Sequence, residues 1–200
     1  MADAMPPVID AVFDVSGGAL PATYPFALWD ALVRHAPALA TDATVGVLPL
    51  RASASGEDVL LPKRAKLVVR LPAALAAYAD ALSGRQLDIG GCILQLGRGK
   101  LRQIQAYPTL HAHLVSTAED EVNFLAEVNA TLAEQDITGK LICGMRNTLR
   151  APHHTIHGYS LVIHDLKPQA SLRLQYTGLG ADRNLGCGIF VPHKAITDLD

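Results

Sequence analysis

Nothing in these 200 residues approaches the ~20 consecutive apolar positions that a membrane span requires. A basic segment followed by an apolar run is also missing from the start, so no leader is expected and a cytoplasmic location is. Cysteine is scarce. Cys92, Cys143 and Cys187 are far apart and odd in number, which argues against a disulfide framework and against a zinc site. Neither a metal nor a cofactor is expected. Charge is sparse too, at 18% of residues with a formal net charge of −2. With half the residues hydrophobic, that balance excludes intrinsic disorder and provides for a sizeable core.

The little charge present is unevenly spread. Between positions 138 and 194 stand seven Lys/Arg and five His against two acids, Asp165 and Asp182. A basic surface on one side of a neutral protein is sufficient for local phosphate binding.

Periodicity divides the chain into two similar halves. Val8–Val15 reads as a strand, Phe26–Pro37 as a helix with Leu28, Ala31, Leu32 and His35 on one face, and Thr44–Leu50 as a strand. Arg51–Pro62 reads as a polar loop and Ala65–Leu71 as a strand. A helix is expected from Pro72 to Gly84, then a strand from Leu87 to Leu96 interrupted at Gly90-Gly91. The order β-α-β-β-α-β is ferredoxin-like. It recurs as a strand at Leu110–Ser116, a helix capped by Thr117 and running through Val122, Leu125, Val128 and Leu132, a hairpin of Lys140–Leu149 with Thr155–His164, a helix from Pro168 to Gly178, and a last strand at Cys187–Val191. The expectation is an α+β protein of two tandem ferredoxin-like (RRM-like) domains, residues 1–105 and 106–200, with a C-terminal glycine-rich loop.

That loop is the most distinctive stretch. Gly178, Gly180, Gly186 and Gly188 flank a polar segment carrying Arg183 and Asn184. Glycine lets backbone N–H groups approach a phosphate closely, and Arg183 offers a charged fork for the same anion. The Lys-Ser/Thr ending of a P-loop is absent, and the loop follows a helix and enters a strand, which also excludes a dinucleotide fingerprint. The alternative is a purely structural helix exit.

This Gly-h-Gly…Gly-h-Gly-h-h segment (h, hydrophobic) resembles the C-terminal glycine-rich loop of the RAMP superfamily of CRISPR-associated proteins. Within it the chain is most similar to the repeat-cleaving endoribonucleases, the Cas six family. Leu20-Pro21 ahead of Tyr24, Val45-Gly46-Val47 after the first helix, and Leu172-Arg-Leu-Gln175 before the loop fit the same pattern. The resemblance implies a metal-independent endoribonuclease that binds the stem-loop of a CRISPR repeat RNA. Cleavage would proceed by attack of a 2′-OH on the adjacent phosphate, leaving a 2′,3′-cyclic phosphate. It also implies association with other subunits of a CRISPR effector complex.

Such chemistry needs a general acid or base, and histidine suits either task. His35, eleven residues before Gly46, sits where some members of the family carry a catalytic histidine, with Tyr24 at the entry to the same helix. Tyr24 is the expected catalytic assistant, positioning the 2′-OH or donating to the phosphate, and a packed tyrosine with a bonded hydroxyl is the alternative. Relatives often carry a histidine just before or after this helix; here those stretches read Ala22-Thr23-Tyr24 and Ala38–Asp42. A non-catalytic RNA-binding subunit is therefore the second functional reading, and an unrelated tandem ferredoxin-like protein the third. Arg146, Arg150, His153 and His154 form a basic hairpin suited to an RNA groove. The expected RNA contacts are those four with Gly178, Gly180, Arg183, Asn184, Gly186 and Gly188. His111-Ala-His113 lacks the second copy that a cyclic phosphodiesterase would need.

Overall fold

The structure, a computed structural model, describes residues 6–151 and 153–193. It is a mixed α/β protein with three sheets, and the chain divides into two compact units. One comprises residues 1–104 with 183–186, the other residues 105–182 with 187–200.

In the first unit β1 (Val8–Ser16) leads through β2 (Ala19–Pro21) to α1 (Tyr24–His35), then β3 (Gly46–Val47), β4 (Ser53–Ser55), β5 (Asp58–Leu60) and β6 (Lys66–Pro72). The short α2 (Ala76–Asp80) and strands β7 (Gln86–Ile89), β8 (Cys92–Leu96) and β9 (Lys100–Gln103) complete it. The main sheet has the order β3-β6-β1-β8-β7, and β9 also pairs with β1. Along β1 the buried Ala11, Phe13 and Val15 pack with Leu28, Ala31 and Leu32 of α1 in one core. The opposite face carries Asp10, Val12 and Asp14, because successive side chains alternate. Asp10 and Arg70 face each other across β1 and β6, both 2% exposed, with Arg70 Nε donating to Asp10 Oδ1 at 2.8 Å. Removing either partner of a pair this buried costs about 3–5 kcal/mol.

Several expectations for this unit need correction. The segment Arg51–Pro62 is not a loop: β4 and β5 form a hairpin, and β5 pairs with β2 through Ala19↔Leu60. Gly90-Gly91 does not interrupt a strand but turns one. Ile89 pairs with Cys92, and both glycines have positive φ, as a two-residue hairpin loop demands. The expected helix Pro72–Gly84 is shorter, a 3-10 turn followed by α2 and closed by Leu82 N–H to Ala79 O at 3.0 Å.

The second unit contains β10 (Leu110–Ser116), α3 (Glu121–Glu134), β11 (Lys140–Ala151), β12 (His154–His164), α4 (Pro168–Thr177) and β13 (Val191–Pro192). Its sheet has the order β11-β12-β10-β13. Phe124, Val128 and Leu132 bury one side of α3 against Leu110, Leu161 and Ile163. Val122, expected inward, is 78% exposed, and Phe124 takes the inward place. The cap is Asp120 rather than Thr117: Asn123 N–H donates to Asp120 Oδ1 at 2.9 Å, while Thr117 Oγ1 accepts from Glu119. Among the described residues no helix is long and apolar enough to cross a membrane.

Candidate functional site

α1 is helical because Leu28, Ala31 and Leu32 recur on one side, with a proline in its first turn. Tyr24 opens it. The phenol oxygen accepts the Leu50 N–H at 2.9 Å in a buried position, and burial pushes its pKa up, opposed by that N–H. The side chain is a packed tyrosine with a bonded hydroxyl. His35 closes the helix and is exposed, unlike Leu28 and Leu32 on the face it was expected to share.

The glycine loop begins where α4 stops. Gly178 takes φ 66° and its N–H caps back to Leu174 O at 2.9 Å. Gly188 has φ 65°, and a Cβ there would collide with the Leu179 carbonyl oxygen, so only glycine fits. Leu179 N–H donates to Gly188 O at 3.1 Å, and Gly188 N–H to Leu114 O at 2.7 Å. Ala181 N–H reaches Ser116 Oγ at 3.2 Å, and Gly186 N–H reaches Arg183 O at 3.0 Å. These N–H groups bond within the protein rather than standing open as an anion nest. Gly180 is exposed and Asn184 half-buried, whereas Gly178, Gly186 and Gly188 are buried.

Arg183, expected on a phosphate, is only 6% exposed. Its Nε donates to Thr44 O at 3.1 Å within the first unit. Burial, with the Arg70 charge adding to it, brings the guanidinium down to about 10. It stays charged at neutral pH, and its fork is committed inside the fold.

The hairpin is the opposite case. β11 and β12 pair from Lys140↔His164 to Ala151↔His154, with an irregularity between Cys143 and Arg146. Alternation places Arg146, Thr148 and Arg150 on one face with Thr155 and His157 of β12. All five are exposed, and Thr148 Oγ1 bonds His157 Nδ1 at 3.1 Å. Arg146 is held in place: its guanidinium lies 5.6 Å from the Tyr159 ring centroid, and Nη1 donates to the Tyr159 hydroxyl at 3.5 Å. Tyr159 in turn stacks on Phe124 at 5.1 Å. The cationic face is thereby anchored to the hydrophobic core of the second unit. His153 is exposed at the turn and His154 opens β12 on the other face, beside Leu149 and Ile156. The hairpin residue Pro152 lies outside the described residues.

The fold also brings together two histidines that the sequence does not connect. His111 and His193 have ring centroids 5.6 Å apart. Burial, then the charges of His193 and His113, hold the His111 pKa below its ordinary value. Spacing could not reveal this contact, because the partners lie 82 positions apart.

Comparison with known proteins adds three findings. A family model described as "Cas6 Crispr" matches residues 9–195. The chain is 33% identical over 186 residues to the CRISPR-associated endonuclease Cas6 of Myxococcus xanthus (strain DK1622), covering 92% of this chain and 81% of that protein. Among solved structures, one from the characterization of a Cas6-related gene of Pyrococcus furiosus superposes with TM-score 0.68 at 12% identity, covering 92% of this chain and 98% of that one. Thermus thermophilus Cse3, bound to an RNA representing a pre-cleavage complex, superposes with TM-score 0.55 at 13% identity, again covering 92% and 98%. At such identities the structural likeness speaks for the fold.

Proposed function

The chain belongs to the Cas6 family of CRISPR-associated proteins, and from that membership we propose that it is an endoribonuclease that processes precursor CRISPR RNA within its repeats. The reaction needs no metal. A 2′-OH attacks the neighbouring phosphate and the product carries a 2′,3′-cyclic phosphate. His35 moves the proton as general base or acid, and Tyr24, its hydroxyl bonded to the Leu50 N–H, sets the start of the helix that carries it. The stem-loop is held by the Arg146, Arg150, His153 and His154 hairpin. Gly180 and Asn184 are the accessible members of the glycine loop, while Gly178, Gly186 and Gly188 shape its backbone and Arg183 O accepts the Gly186 N–H. Effector-complex subunits are further partners, and the setting is cytoplasmic.

The observation that carries the RNA reading is the exposed face of Arg146, Thr148, Arg150 and His157, fixed to the core through Tyr159. We also read each unit, near residues 1–105 and 106–200, as a ferredoxin-like variant. The orders β3-β6-β1-β9 and β11-β12-β10-β13 support this, since each puts the first strand between the third and the last.

A non-catalytic RNA-binding subunit is the second reading. One observation favours it: with the Tyr24 hydroxyl buried, α1 exposes a single imidazole and no paired acid. Incubating the protein with its own repeat RNA in EDTA decides between them. Cutting that leaves a cyclic phosphate is the expected result, and His35→Ala should lower the rate about 10²–10⁴-fold with affinity within a few-fold. Tight binding without cutting would establish the second reading, and cutting only after magnesium is restored would overturn the metal-free mechanism.

A further inference from the structure

The first unit holds a surface cavity of about 520 Å³ among whose lining residues are Asp14, Ser16, Lys63, Arg64, Lys66 and Gln95. None of these belongs to the site described above. Lys63 and Arg64 occupy the turn between β5 and β6, closed by Ala65 N–H to Pro62 O at 3.0 Å. Val15 N–H to Ala65 O, 3.1 Å, ties that turn to β1. Lys66 opens β6 opposite Asp14 and engages its carboxylate. That hydrogen bond and charge, with a contribution from Lys100, hold the Asp14 pKa below the usual carboxylate value. Lys100 pairs with Val12, two residues from Asp14, and so faces the same side.

The charge does not balance. Three cations and one carboxylate line the cavity, and the carboxylate already serves one of the three. Lys63 and Arg64 are exposed on a backbone that is itself fixed at both ends of the turn. The wall offers little to read a base. Gln95 Nε2 is committed to Leu96 O at 2.9 Å, and the Val15 and Gly97 N–H groups bond Ala65 O and Asp14 O. An excess of cations on a wall with few neutral donors suits phosphate contact independent of sequence. The volume is far too small to admit a duplex.

We propose that this cavity binds backbone phosphates of single-stranded RNA, giving the first unit an RNA contact of its own in addition to the hairpin of the second. The proposal extends the RNA-processing reading: a precursor carries unpaired RNA as well as a stem-loop. A free phosphate would be recognised by the same chemistry, so the test separates the two sources.

The full chain is titrated with a labelled oligouridylate across a salt series, and separately with inorganic phosphate, following the Ala65 and Gly97 amide signals by NMR. Lys63→Ala/Arg64→Ala should weaken oligouridylate binding several-fold and reduce the salt slope by about 1–1.5, at roughly 0.7 per phosphate contact on a single strand. Asp14→Asn should tighten it, because Lys66 is released, an opposite sign that a structural role would not produce. An unchanged affinity and slope in the double variant overturns the proposal. So does a phosphate-induced shift at Ala65 and Gly97 with oligouridylate binding unaltered, which would make the cavity a small-anion site. Should the wild-type protein leave repeat RNA uncut, the endonuclease reading fails, and the oligouridylate arm still decides the cavity. The substituted side chains are exposed, and matched melting curves confirm folding.

Discussion

The glycine loop and the β11–β12 hairpin are both read from sequence as RNA contacts, yet the fold treats them in opposite ways. The loop puts its N–H groups and Arg183 into internal bonds. The hairpin turns Arg146, Arg150 and His157 outward. A dense glycine motif reports that the backbone must adopt special angles and pass close to other backbone, as Gly188 does beside Leu179. It does not report whether what passes close is a phosphate or a neighbouring carbonyl. Alternating charge along an exposed hairpin is a more direct sign of surface.

The strongest way to break this contrast is Gly188→Ala. With positive φ and a collision at the Leu179 carbonyl, it should cost about 3–5 kcal/mol, a fall of roughly 10 °C in the melting temperature. A variant that melts with the wild type would mean the loop is not close-packed. Arg183→Ala comes next. Losing the bond to Thr44 O should cost about 1–3 kcal/mol of stability and leave the salt slope of RNA binding unchanged. A slope smaller by about 1 would put Arg183 on a phosphate and erase the difference between the two regions.

Arg146→Ala/Arg150→Ala sharpens the contrast from the other side. Stem-loop affinity should fall about tenfold in low salt with little change in melting, and more than single-strand affinity does. Equal losses for both RNAs would reduce the arginines to a nonspecific patch. The smallest effect belongs to His111. Its folded pKa lies below the unfolded value of about 6.5, so the unfolded chain takes up the proton first. Stability is full above that pH and falls as the pH drops below it. His111→Gln should flatten this acid-side loss, and an unaltered pH profile would show that another group is responsible.

The elements legible in sequence are those whose apolar spacing is strict. Leu28 with Leu32 gives α1, alternation gives β10 at Leu110–Ser116, and Pro168 with Gly178 brackets α4. The β4–β5 hairpin escaped because Ser53, Ser55 and Asp58 bury nothing; its order comes from pairing with Ala19–Pro21, far away in the chain. On α3 two capping residues stand three apart, and the inward face follows the row Phe124, Val128 and Leu132 rather than one through Val122. At the site, the hairpin cations are legible because they alternate along a strand, whereas the exposure of His35 is not, since its spacing puts it on the apolar face of Leu28 and Leu32. The burial of Arg183 is invisible, since its acceptor Thr44 is 139 positions away.

The composition of the first unit bears on how the protein is made. Residues 183–186 belong to the first unit, whose other residues end at 104. On a ribosome adding about 5–20 residues per second, some 80 residues separate the two pieces, a delay of about 4–16 s. During that interval the nascent first unit waits with Thr44 lacking its arginine, while β10 through α4 are still being made. A gene fragment ending near residue 104 would leave that first unit permanently in the unfinished form.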